Sequence, residues 1–199
     1  QRTFDEVGTV RLDLDALPPP SRPLACLVLA LSLASCASTG PRMVTDSGQP
    51  REVGEGTAVN VRWADPAAFS ELRYSQNHRE AARGDWVVEL ADYMQAKITK
   101  AVPAGDRVDV EILDITRAGE YEWIPRTTSD NIRVMRDVYP PRMTLNFRHV
   151  DASGAVVAEG ERKIADLAYL QSQPPFPAND PLRYDKRLID TWIRREFKR

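Results

Sequence analysis

Cysteine is confined to two positions of this 199-residue chain, Cys26 and Cys36, and none follows. Residues 37–199 therefore hold no disulfide and no thiol nucleophile, whatever compartment they occupy. Histidine is as scarce. His78 lies in polar "SQNHRE", and His149 shares a strand phase with Phe147. Two separated histidines fall short of the three or four ligands of a zinc site, so neither metal nor cofactor is expected. Excess charge is missing too: a formal net charge of −2 gives no field to gather nucleic acid, and no such partner is expected. No Gly-x-Ser-x-Gly, Ser-x-x-Lys, His-Glu-x-x-His or Walker sequence occurs.

What is present begins with an apolar run at 24–34, "LACLVLALSLA". Its 11 residues are too few for a membrane span, which needs about 20, and they fit the apolar region of a secretory signal. Arg22 supplies a positive flank. The ending Leu33-Ala34-Ser35-Cys36 resembles the lipobox of bacterial lipoproteins. That resemblance implies cleavage before Cys36, alkylation of its thiol by diacylglycerol and acylation of the new amino terminus. Two or three acyl chains anchor stably where one is marginal. A buried helix with a packed cysteine is the competing reading; Pro18-Pro19-Pro20, Pro23 and Gly40-Pro41 around the run argue against it. Residues 1–35 are thus expected to be an upstream extension and signal peptide that is removed, the acidic first 20 or so lying ahead of the true start. Ala37, rather than Asp, after the cysteine implies sorting to the outer membrane, with the domain facing the periplasm. The expected partner at this end is the membrane.

Residues 37–58 are rich in Ser, Thr, Gly and Pro without apolar period, and with Cys36 they are expected to form a flexible tether. Folding is expected from 59 to 199. Val59, Val61 and Trp63 alternate as a half-buried strand. Residues 67–83 predict an irregular stretch or short helix, and Val87, Leu90, Met94, Ile98 and Ala101 make a helical stripe over 85–102. Val108, Val110 and Ile112 alternate until the phase slips at Leu113, which predicts a bulge. A long irregular loop, with a short strand at 132–134, leads to a hairpin of 142–150 and 155–164 around Asp151-Ala152-Ser153-Gly154. A last helix over 181–197 is expected to start with Asp180 as cap and Pro181. The order predicts an α+β fold: one two-layer domain with a largely antiparallel sheet of four to five strands and two helices on one face.

Five stretches, "VRWADP", "ILDITRAGE", "IRVMRDVYPPRMTL", "DASGAVVAEGERKIADLAYL" and "DPLRYDKRLIDTWIRREF", stand here in an order and spacing that resemble domain-of-unknown-function family 3016. These are small proteobacterial secreted proteins and lipoproteins. The resemblance implies a periplasmic or outer-membrane-associated protein and implies no activity.

The long loop is the candidate binding surface, through Trp123, Arg126, Arg133, Arg136, Tyr139 and Arg142. Aromatics interleaved with arginines suit an anionic or sugar-like ligand, or an envelope protein. The plainer reading is that the aromatics cover a sheet edge and the arginines pair with Glu120, Glu122, Asp130 and Asp137. Asp114 and Asp166, each near a strand end, are a possible acidic pair for a hydrolase or metal-dependent enzyme; capping of turns is the plainer role. The last helix is basic, with seven cations against Asp185, Asp190 and Glu196 from residue 181 onward. That suits the helix dipole, and it also suits anionic lipid. The expected function is a non-enzymatic binding module on a lipid tether.

Overall fold

Alternating apolar residues at 59–63 and 107–116 build the two strands on which the fold turns. The computed structural model describes residues 40–123, 132–171 and 173–197. Cys36, Arg126 and the whole of residues 1–35 lie outside the described residues. In chain order the elements are β1 (Glu52–Val53), β2 (Val59–Trp63), a 3-10 turn (Pro66–Ala68), α1 (Ser70–Tyr74), α2 (His78–Ala82) and α3 (Trp86–Ala101). There follow β3 (Arg107–Thr116), β4 (Glu120–Tyr121), β5 (Arg133–Val134), β6 (Arg142–Val150), β7 (Val156–Ala165) and α4 (Arg183–Glu196).

The domain is α+β. Five strands form one sheet in the order β1-β2-β3-β6-β7, and β4 and β5 form a separate small ladder. Three neighbouring pairs of the large sheet are antiparallel, but β2 and β3 run parallel. The physical reason is the crossover: α1, α2 and α3 return the chain so that β3 starts where β2 started. The sheet is therefore mixed.

One face carries the core. Val59, Val61, Val108, Val110, Ile112, Met143, Leu145 and Phe147 turn toward the stripes of α3 (Leu90, Met94, Ile98) and α4 (Leu188, Ile189, Trp192). Truncating any of the three fully buried α3 residues to Ala costs about 2–5 kcal/mol. The other face is open to solvent: along β6, Arg142, Asn146 and Arg148 are exposed while Met143, Leu145 and Phe147 are buried. On β7, Gly160 has φ +122° opposite Phe147. Without a Cβ there, Arg162 folds across the Phe147 ring, 4.7 Å from its centroid, and pairs with Glu196 of α4 at 2.8 Å.

The phase slip at Leu113 is a bulge, for pairing jumps from Ile112 to Asp114. The extra residue re-aims Asp114, whose carboxylate accepts from Ser70 N at 2.6 Å and Ser70 Oγ at 2.7 Å. It thereby caps α1, whose own N-cap residue, Phe69, has no side-chain acceptor. At α4, Asp180 accepts from Leu182 N at 2.8 Å, though the helix starts two residues later than the cap expectation placed it.

The tether expectation needs correction. From Arg42 onward the segment packs on the domain: Met43 bridges to Arg83, Val44 N donates to Ala82 O at 2.8 Å, and Val44 is buried in the core. Arg42 and Gln49 both bond Asp85, at 2.9 and 2.8 Å, so Asp85 serves them rather than the α3 backbone. β1 then adds an edge to the sheet. Composition misled because two valines suffice to dock a segment that is otherwise polar.

Candidate functional site

The long loop folds back as a small lobe, and the lobe rests on a buried charge cluster. At residues 117–119 the chain leaves β3 and turns at Gly119, with φ +79°; a Cβ there would stand 2.7 Å from Met135 Sδ and 2.8 Å from Val134 O. Only glycine allows β5 to come so near. Arg133 of β5 then reaches under the lobe. Its guanidinium donates to both Glu71 oxygens, at 2.6 and 3.0 Å, and to the carbonyls of Ala118 and Gly119 at 2.7 and 2.8 Å. It also lies over the Tyr121 ring at 5.1 Å. Burial opposes its charge, yet Glu71 outweighs burial and raises the Arg133 pKa.

Two further groups complete the cluster. Glu71 accepts from Arg117 N at 2.9 Å, and Asp185 of α4 accepts from Ala118 N at 3.0 Å. The Arg117 guanidinium lies 5.1 Å from the centroid of the Trp86 ring. Arg117 Nε and Asp185 Oδ2 have no hydrogen-bond partner among the described residues. Burial lowers the Arg117 pKa and pushes the Asp185 carboxyl up to about 6. Two arginines and two acids from α1, β3's exit, β5 and α4 thus tie the lobe to both layers of the domain.

Above this cluster stands a ledge. Trp123 is 76% exposed, whereas Trp63, Trp86 and Trp192 are buried. It borders a cleft of about 420 Å³ whose walls include Asn77, His78 and Arg79 on one side and Tyr121 on the other. The α1–α2 corner is bonded to the lobe: Ser75 Oγ donates to Glu120 at 2.8 Å and Tyr121 Oη to Glu80 O at 3.3 Å. Nδ1 of His78 bonds the Leu72 carbonyl. Two residues before Gln76 of the cleft wall, Tyr74 is 70% exposed with Arg73 over its ring at 5.4 Å. On the lobe's rim, Glu122 accepts from Arg136 at 2.7 and 2.8 Å and from Tyr139 Oη at 2.9 Å. Those bonds, Arg136 first, hold the Glu122 carboxyl below its usual range.

The expected site residues therefore separate. Trp123, Arg136 and Tyr139 reach the lobe surface, and Arg133 is largely buried beneath it. Arg142 stands on the open sheet face. The acidic pair does not form. Asp114 is on β3 and Asp166 follows β7, with β6 between, which places their backbones at least about 10 Å apart. Asp166 accepts from Arg187 at 2.7 Å and from Ala168 N at 3.2 Å, so each carboxylate has its own structural partners. His149 is likewise paired, with Asp106 at 2.8 Å. Among the described residues no three His, Cys, Asp or Glu side chains gather as metal ligands would, and no helix is long and apolar enough to cross a membrane.

A larger depression of about 550 Å³ lies on the open sheet face. Four of its five charges meet in opposite-sign pairs, Arg62–Glu111 at 3.3 Å and Arg148–Glu159 at 3.4 Å, with Asp109 the fifth, and it exposes no large aromatic. The Trp123 cleft is the stronger candidate because it exposes both an indole and Arg79. Sequence reasoning missed Glu71, Arg117 and Asp185. One signal was available for Asp185: it sits on the apolar stripe, three residues after Leu182 and three before Leu188.

A family model described as "Protein of unknown function (DUF3016)" matches residues 57–195, more than half of the chain. No curated protein and no solved structure matches.

Proposed function

We propose that this chain, which belongs to the DUF3016 family, is an envelope lipoprotein whose domain works by binding, with the Trp123 ledge as its contact surface. Cys36 carries the lipid, and the domain faces the periplasm from the outer membrane. The observation that carries the reading is the ledge itself. One of four tryptophans is left in solvent at the mouth of a cleft, on a lobe that three buried charges and the largely buried Arg133 hold in place. An exposed indole on a rigid support is the usual chemistry of a contact residue, since it offers a large area at small cost in lost side-chain freedom. A binding role, rather than catalysis, is supported by the separate engagement of Asp114 and Asp166.

A photoreactive phenylalanine analogue at position 123, expressed in cells with an intact envelope, tests this. An adduct is expected from position 123 and none from the same probe at position 146 on the open sheet face. No adduct at 123, or equal yield at both, would overturn the ledge. Mass spectrometry of the native protein tests the anchor: the expected N-terminus is acylated Cys36, and an unlipidated terminus upstream of residue 30 contradicts it.

A further inference from the structure

We infer that the ledge docks on an anionic phospholipid bilayer, so that the domain lies on the membrane that holds its anchor; this rests on the lipoprotein reading above. Three independent features meet at this end of the molecule. The first is where the chain joins the domain. Gly84 N donates to Arg42 O at 2.7 Å and Val44 N to Ala82 O at 2.8 Å, which seats residues 42–44 against the end of α2. The start of α2, His78 and Arg79, walls the Trp123 cleft. Six residues separate Cys36 from Met43, and a fully extended chain of that length reaches about 25 Å at most. A lipid on Cys36 therefore keeps this end within reach of the bilayer.

The second feature is apolar and amphipathic surface. Tyr74 and Trp123 are 70% and 76% exposed, and Val138 of the same lobe is 73% exposed. Tyrosine and tryptophan favour the headgroup level, where a ring meets the acyl boundary and a polar tip meets water.

The third is charge. Four carboxylates at this end are already held, Glu80 by Arg83, Asp85 by Arg42, Glu120 by Ser75 and Glu122 by Arg136, while Asp137 beside Val138 is exposed. Arg73 and Arg79 have no carboxylate partner among the described residues, and both are exposed. Two guanidiniums beside two exposed rings fit phosphate headgroups. The basic end of α4 is the rival. Its Arg194 shares a groove with Lys97 and Lys100, at the far end of α3 from Asp85 and Arg42. A helix of 16 residues is about 24 Å long, so the two basic regions belong to different ends of the domain.

The lipidated protein, reconstituted into phosphatidylethanolamine–phosphatidylglycerol vesicles that contain a brominated phospholipid, gives the test. Trp123→Phe serves as the reference for the three buried tryptophans. At low salt, Trp123 emission should shift to the blue and be quenched by bromine; high salt should reverse both while the anchor stays inserted. Arg73→Gln with Arg79→Gln should weaken docking about 30-fold, each arginine near an anionic surface being worth about 5-fold. Arg194→Gln with Arg195→Gln should leave docking unchanged, and circular dichroism confirms that each variant is folded. Absent quenching in a folded, lipidated protein overturns the lipid inference. So does loss of docking in the α4 variant alone. If position 123 crosslinks a protein in the envelope while bromine does not quench it, the lipid inference fails and the ledge survives. An unlipidated Cys36 instead removes the reading beneath it.

Discussion

Arg133 and Arg136 stand three residues apart in one loop and do opposite work. Arg133 is largely buried beneath the lobe, where it binds both oxygens of Glu71 and three backbone carbonyls. Arg136 lies on the rim, with 58% of its side chain exposed, and pairs with Glu122 in water. The same residue type thus supports the lobe in one place and decorates it in the other. Dielectric surroundings set the difference: a buried charge without its partner is costly, whereas an exposed one is solvated. The proposed contact lies on the exposed side of the lobe, because the underside is closed off from solvent.

The contrast predicts a descending series of effects. Arg133→Met should destabilise most, by about 3–5 kcal/mol in chemical denaturation, since Glu71 is left buried and unpaired. Adding Glu71→Leu to that variant should recover part of the loss, because no charge is then stranded.

Next comes Asp185. Its carboxyl titrates at about 6 in the folded protein against 3.8 for an ordinary aspartate. Between those values the folded state holds the proton that the unfolded state has released. Stability should therefore fall by about 3 kcal/mol as pH rises from 4 to 6 and change no further from this group above that window. Asp185→Asn should remove that fall, read as the difference between the two proteins' denaturation midpoints across the window. Carboxylates outside the cluster contribute equally to both proteins and cancel.

Val44→Ala extends the contrast to the leading segment. If residues 42–44 belong to the core, the loss is about 2 kcal/mol; if they are a free tether, the midpoint does not move. The smallest effect is expected on the rim. Arg136→Gln should leave the denaturation midpoint within experimental scatter, and a large loss there would erase the distinction between underside and rim.

Periodicity made β2, α3, β6 and α4 legible, because each buries one face against one core, and the turn residues at 151–154 made β7 legible as the partner of β6. The bulge was legible too, from the single out-of-phase residue Leu113. The parallel pairing of β2 with β3 was not, since alternation along a strand carries no direction. Neither was the docking of residues 42–53, where Val44 and Val53 are isolated apolar residues in a polar run. At the site, the loop's arginines and aromatics were visible as a class, but their burial was not. Arg133 goes under the lobe because Glu71, 62 residues earlier in the chain, is there to receive it. Such a pairing is a tertiary fact with no local signal. Arg79 escaped notice for the same reason: it joins Trp123 only once α1 and α2 fold against β4.

Acrylamide quenching of tryptophan emission, with and without envelope membranes, tests the ledge most directly. One readily quenched tryptophan is expected in buffer, absent from Trp123→Phe and shielded when membranes are added. A quenchable component that persists in Trp123→Phe, or that membranes leave untouched, would contradict it.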